Sequence, residues 1–323
     1  MKKIVFAVLL ALPLIAAAAE PKVVAADMLA KVVPGTITYV GADGWLYSKN
    51  ELQHLVAGEL INGRVIEVSK SAKPENADPI AAIKDFNEQL SALGIRLIVM
   101  PVPPKLAVET AGVGGALASG DGMAYLRPFY AELTAAGIEV VDLYKDTADP
   151  NYYCRTDAHW NPDGIAVAAT TIASMLGVEG VTADSLRTSP QKMEIRGDLL
   201  KSLKDDSIPG ETATIYPGAE SVISETAPTL LIGDSHCLVF HSGADMLAEK
   251  SGIADLLARA IGDKVDMLAV RGSAATAVRV QLYRKAAKNP EWLTGKKTVI
   301  YCFTAREFTE STNGWAKVPV LKK

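Results

Sequence analysis

Acyl transfer by a serine enzyme needs a hydroxyl on a sharp turn, an imidazole to take its proton, and a carboxylate behind the imidazole. This chain carries one such set. Leu230-Leu231-Ile232-Gly233-Asp234-Ser235-His236 reads as a short buried strand ending in a small-residue turn, with a helix-capable segment after it. A serine on a strand-to-helix turn is lifted clear of the sheet. The free N–H groups of the following helix start can stabilise an anion. A serine alcohol stays a poor nucleophile until a neighbouring base activates it, and the base needs a carboxylate on its other nitrogen.

The chain has four histidines, His54, His159, His236 and His241, so the search for that base is short. His159 lies in Asp157-Ala158-His159-Trp160, directly before a helix expected from Asn161. Asp157, two residues away, converges on the same place if the loop curls. Ser235, His159 and Asp157 therefore form a candidate triad of nucleophile, base and orienting group. Asp163 competes for the orienting role but reads as a helix start. His236 is a rival base; adjacent side chains on a turn diverge, so it reads as a wall of the site or a substrate hydrogen-bonder. His54 and His241 read as surface or packing residues. The tetrahedral oxyanion needs two or three donors. The Ser235 N–H is one candidate, and the Gly272 N–H or the Ser273 side chain, in Arg271-Gly272-Ser273, is another. Arg306 and Glu307 fall at the same rim, either to bind substrate or to form an ion pair. No pair of histidines has a ligand spacing such as His-x-x-x-His, so neither a metal nor a cofactor is expected.

The elements that must position these groups follow from periodicity. Helices are expected at Val23–Val33, Ile80–Leu93, Tyr125–Ala136, Asn161–Met175, Ala244–Ala260 and Ala274–Ala287, with apolar residues recurring on one face. Strands are expected at Ile95–Met100, bounded by Pro101, and at Ile138–Leu143, Leu230–Ile232, Val265–Val270 and Thr298–Phe303. Gly41-Ala42-Asp43-Gly44-Trp45-Leu46-Tyr47 reads as a turn and an aromatic strand. Residues 186–228 show no clear period and read as an inserted loop or small hairpin over the site. Alternating helices and short apolar strands predict a three-layer α/β/α sandwich with a mostly parallel sheet. Sites in such sheets lie at the C-terminal strand edge, where both Ser235 and the Asp157–His159 segment fall.

The N-terminus reads as a secretory signal peptide, residues 1–19: Lys2 and Lys3, an apolar run from Ile4 to Ile15, and Ala17-Ala18-Ala19 as the cleavage site. The alternative is a membrane anchor, but the run is short for a span and ends in alanines. The mature chain is therefore expected in a bacterial periplasm, as one domain over residues 20–323. Losing Lys2 and Lys3 makes the formal charge of −4 two units more negative. Without a basic block, nucleic acid is not an expected partner. Of three cysteines, Cys154, Cys237 and Cys302, at least one is unpaired; a single disulfide is open, and its pair is not fixed by spacing.

The Asp-x-His-Trp segment, followed later by Gly-Asp-Ser-His, resembles the SGNH-hydrolase-like proteins of bacterial exopolysaccharide acetylation, the AlgX/AlgJ group. Gly41–Tyr47 is similar to that family's Gly-x-Asp-Gly-Trp-Leu element, and Val99-Met100-Pro101-Val102-Pro103-Pro104-Lys105 to its strand and Pro-Lys loop. Thr304-Ala305-Arg306-Glu307-Phe308 is similar to its final strand end. Ordinary SGNH hydrolases place the serine block first; here Asp157 and His159 precede Ser235, the permuted order of this family. The resemblance implies a periplasmic O-acetyltransferase that carries acetyl on Ser235 to hydroxyls of an exported, alginate-like polysaccharide. It also implies a membrane-bound O-acyltransferase as the acetyl source. The general superfamily's Asn block and a C-terminal carbohydrate-binding module are not found. An acetylesterase of the same triad chemistry and a non-catalytic polysaccharide-binding protein are the competing readings.

Overall fold

Runs of aliphatic residues set the core sheet. Its strands are β3 (Arg96–Val102), β4 (Glu139–Val140), β7 (Thr229–Gly233), β8 (Asp266–Ala269) and β9 (Thr298–Thr304), in the order β4-β3-β9-β7-β8. All four pairings are parallel. Two antiparallel pairs stand outside it: β1 (Thr38–Val40) with β2 (Leu46–Ser48), and β5 (Gln191–Ile195) with β6 (Glu211–Ile215). This computed structural model describes residues 20–114, 122–144, 151–218 and 222–322. The expected signal peptide lies outside the described residues. Among the described residues, no helix is long and apolar enough to cross a membrane.

The sheet is apolar on both faces, as a parallel sheet covered by helices must be, and side chains alternate between two cores with a period of two. Ile98, Met100 and Val102 of β3, Leu231 of β7, and Ile300 and Cys302 of β9 face one core. The helices Pro162–Met175 and Ile253–Ile261 close that side, through Ile165, Ala169, Ile172, Leu256 and Leu257. Leu97, Val99, Leu230, Ile232, Val299, Tyr301 and Phe303 face the other core. The helices Pro79–Ser91, Arg127–Ala135 and Ala277–Lys288 close this second side with Phe86, Leu90, Phe129, Leu133, Val278 and Leu282. The expected three-layer arrangement is therefore present.

Several boundaries differ, each for a local reason. β3 runs through Pro101 to Val102, paired to Phe303 and Thr304 of β9. Val99 bonds toward β4 through Val141 N–H. Pro101 has the same parity and points to that side, but β4 has ended there, so its missing N–H breaks no ladder. The helix expected from Ala244 begins at Ile253, because left-handed Leu247 and Lys250 and the Gly252 N-cap interrupt the chain before it. Residues 186–228 do contain a hairpin, β5–β6, and a short helix, Asp198–Leu203, fills its connection.

Candidate active site

Every group of the candidate site leaves the C-terminal edge of the parallel sheet or comes from the two outlying hairpins. β7 ends at Gly233, opposite Cys302. A Cβ on Gly233 would lie 2.0 Å from the Cys302 carbonyl and 2.6 Å from Cys237 Sγ, so only glycine fits. Asp234 then caps the turn. Its Oδ1 accepts from the His236 N–H at 2.8 Å and its Oδ2 from the Thr304 N–H at 2.8 Å, which ties the turn to the end of β9. Burial works against the charge on Asp234, but His236 and these donors hold its pKa below the usual carboxylate range. Ser235 begins a short helix, Ser235–Leu238, where backbone N–H groups have no intrahelical partner.

Ser235 Oγ is 2.7 Å from His159 Nε2, and His159 Nδ1 is 2.5 Å from Asp157 Oδ1. The loop curls as the pairing requires, for the His159 N–H also reaches Asp157 Oδ1, at 3.0 Å. Burial opposes both charges. The Asp157 carboxylate nonetheless pushes His159 up to about 9, and His159 with the N–H donors holds Asp157 well below the usual carboxylate range.

Three further residues hold this loop. Asp198 gives its main-chain N–H to Asp157 Oδ2 at 2.8 Å and takes the Ala158 N–H on its own Oδ1 at 2.8 Å. Glu211 of β6 accepts from the Arg155 N–H at 2.7 Å and from the Thr156 N–H and Oγ1, each at 2.6 Å. Lys105, fully buried, donates to the carbonyls of Leu46, Arg155 and Asp157 at 2.6, 3.1 and 3.1 Å. Its ammonium lies over the rings of Trp45 and Tyr47. The segments Gly41–Tyr47, Pro103–Lys105 and Arg155–Trp160 thus meet at one buried cation. Sequence reading gave Lys105 no task, because it bonds carbonyls and no local pattern marks that. Asp198 and Glu211 were missed because they lie in the stretch without periodicity.

The cleft over Ser235 has a volume of about 260 Å³, and His159, Asp157, Asp198, Gly272 and Arg306 line it. Gly272 and Arg306 are thus brought to Ser235. Arg306 Nη1 lies 3.8 Å from the buried Glu51 carboxylate. Ser273 is not brought there: its hydroxyl donates to Glu307 Oε2 and meets Ser311 Oγ at 3.0 Å. His236 is only 1 % exposed, so it is not placed to hydrogen-bond substrate. Its Nδ1 is 3.1 Å from Asp234 Oδ1, and its ring packs behind His159 and against Trp160. Burial lowers its pKa in spite of Asp234. Asp163 is engaged by Tyr216 Oη at 2.7 Å and Arg187 Nε at 2.8 Å. His54 is buried against Thr309 Oγ1, and His241 pairs with Asp255. Cavities of about 620 and 450 Å³ lie elsewhere, and no histidine lines either.

Among the described residues, Asp157, His159 and Asp198 alone offer three donor atoms close enough for one metal ion. Those atoms are already committed to one another, to Ala158 N–H and to Ser235. Cys154, Cys237 and Cys302 are buried free thiols, with Cys237 and Cys302 in contact.

Residues 38–290 match the family described as SGNH hydrolase-like domain, acetyltransferase AlgX. A probable alginate O-acetylase AlgJ from Pseudomonas aeruginosa is 25 % identical over 209 residues, covering 61 % of this chain and 48 % of that protein. The chain therefore spans about half the length of this curated relative. Among solved structures, the O-acetyltransferase domain of Pseudomonas putida AlgJ aligns with a TM-score of 0.58 at 19 % identity, over 84 % of this chain and 92 % of that one. Pseudomonas aeruginosa AlgX aligns with a TM-score of 0.51 at 18 % identity, over 84 % and 62 % of the two chains. At these identities the likeness is one of fold.

Proposed function

This chain belongs to the SGNH hydrolase-like, AlgX acetyltransferase family, and from that premise we propose that it is an O-acetyltransferase acting through an acetyl-enzyme on Ser235. One observation carries the reading: a serine hydroxyl, an imidazole and a carboxylate in series at 2.7 and 2.5 Å, opening into a cleft. As Ser235 Oγ attacks the donor carbonyl, its proton passes to His159 Nε2. Asp157 holds the tautomer that leaves Nε2 free and stabilises the imidazolium that forms. The tetrahedral oxyanion takes the N–H groups of Ser235 and Gly272 as its proposed donors. Collapse expels the donor's leaving group, which takes the proton from Nε2, and acetyl remains on Oγ. An acceptor hydroxyl then attacks, giving its proton to Nε2. The second collapse forms the acetyl ester and returns that proton to Ser235.

The acceptor in this reading is a hydroxyl of an alginate-like polysaccharide, since the relatives are named as alginate O-acetylases. Export to the periplasm, a single domain over residues 20–323 and a membrane-bound O-acyltransferase as acetyl source complete the proposal. The decisive experiment gives the purified protein a chromogenic acetyl ester with and without oligouronate acceptors. Acetylated oligosaccharide, lost in Ser235→Ala, His159→Ala and Asp157→Ala, is the expected result. Acetate release indifferent to acceptor would make the protein an esterase. Absence of both turnover and acetyl-Ser235 would leave a binding protein.

A further inference from the structure

The Asp157–His159 loop is held from the sheet side by Lys105 and from the opposite side by the connection of the β5–β6 hairpin. That second contact is unusually close. A Cβ on Gly197 would stand 2.3 Å from the Thr156 carbonyl oxygen and 2.5 Å from Asp157 Cβ, so the inserted segment lies directly on the loop. The next residue, Asp198, makes a reciprocal pair of bonds: its N–H goes to Asp157 Oδ2 and its Oδ1 receives the Ala158 N–H, both at 2.8 Å. Oδ1 also receives the Leu199 N–H at 2.7 Å. Asp198 sits at the first turn of its helix, and it lines the same cleft as Ser235.

We propose that Asp198 is a positioning residue of the site, a fourth member of the series, which fixes Asp157 and raises the basicity of His159. This rests on reading Ser235, His159 and Asp157 as the triad. Asp157 is buried and Asp198 is half-buried beside it, and two carboxylates so close repel each other; partial burial together with that repulsion pushes the Asp198 carboxyl up. Their shared relief is a positive charge on the one imidazole between them and the serine. The inserted hairpin therefore supplies negative field exactly where the imidazolium forms, and it supplies the hydrogen bonds that stop Asp157 from turning away. The groups facing His159 from each packed element are Asp157 on its own loop, Asp198 on the insertion, Ser235, Asp234 and His236 on the β7 turn, and Arg306 after β9, a cation across the same cleft that works in the opposite sense. Glu51, on the Lys49–Ala57 helix, adds a longer-range carboxylate.

Asp198→Asn separates field from scaffold. The amide oxygen can keep the Ala158 and Leu199 N–H groups, and the main-chain donor to Asp157 is untouched, while the negative charge is gone. With four histidines in the chain, the His159 ring signals can be assigned by their loss in His159→Gln and titrated by NMR without any turnover. The expected result is a fall of about 0.5–1 pH unit in the His159 midpoint in Asp198→Asn. The acid limb of kcat/KM for ester cleavage should move by the same amount. Asp198→Ala, which also frees the Ala158 N–H, should lose a further ten- to hundredfold or so in kcat. A His159 midpoint unmoved in Asp198→Asn overturns the proposal. So does a rate loss that is equal at every pH, which is what a purely structural residue would give. Absent ester turnover in the unmodified protein would count against the acyl-transfer reading alone, because the titration still reports whether Asp198 acts on His159.

Discussion

His159 keeps its proton to about 9, well beyond a free imidazole, because Asp157 outweighs the cost of burial. A general base works only when deprotonated, so the fraction competent to activate Ser235 rises with pH up to that value. The expected outcome is a kcat/KM for ester cleavage that climbs about tenfold per pH unit on the acid side and levels near 9. A profile already flat from pH 6 would show that Asp157 does not hold the proton on His159 into the alkaline range. Lys105 makes a different demand at this scale. Lys105→Met takes the ammonium donor from the Leu46 and Asp157 carbonyls in the interior, while the Arg155 carbonyl keeps the Leu46 N–H, and this should cost of order 3 kcal/mol. Lys105→Arg should not restore it, since a planar guanidinium cannot replace a compact ammonium under two rings. Chemical denaturation measures both. Ser235, His159 and Asp157 were legible in the sequence because each sits in a short contiguous motif. Lys105, Asp198 and Glu211 were not, because each acts on backbone groups far away in sequence, and such bonds leave no spacing to read.

At the level of elements, the turn that carries Ser235 depends on how closely β7 and β9 approach. Gly233→Ala drives a methyl against the Cys302 backbone, which cannot swing aside as a flexible side chain would. Overpacking of this kind costs about 1–3 kcal/mol. It should also displace Ser235 from His159, so the expected variant is folded, less stable in urea, and much slower. Full activity in Gly233→Ala would mean that the turn relaxes without moving Ser235. The strands and helices themselves were legible wherever periodicity was strong, as in Ile80–Leu93 and Leu230–Ile232. They were misjudged at Pro101, where a missing N–H looks like a strand end but faces the side on which the pairing with β4 has already ended. The long helix expected from Ala244 failed for the opposite reason: its apolar residues recur as a helix would have them, yet left-handed residues and Gly252 turn the chain first.

Across the whole molecule, two buried imidazoles set opposite limits on stability. Burial holds His54 neutral down to about 3, so its folded form binds fewer protons than its unfolded form. Its contribution is complete above about 6.5 and is lost as the pH falls below that. His159, raised to about 9, contributes fully below about 6.5 and loses its contribution as the pH rises through 9. Stability should therefore peak near neutrality. His54→Gln should flatten the acid side of a plot of urea midpoint against pH, and His159→Gln the alkaline side. Unchanged slopes in both would assign the pH dependence to other groups. The fold class could be read from alternating elements, but the strand order could not, since nothing local says which strands lie side by side. That order has a consequence in time. β9, made after every other strand of the sheet, lies in its middle, between β3 and β7, and its end fastens the turn that carries Ser235. Until residues 298–304 are in place the sheet is two separate pairs of strands, β4 with β3 and β7 with β8, and the Asp234–Thr304 bond that fastens the serine turn cannot form, so the site is assembled by the last strand to arrive.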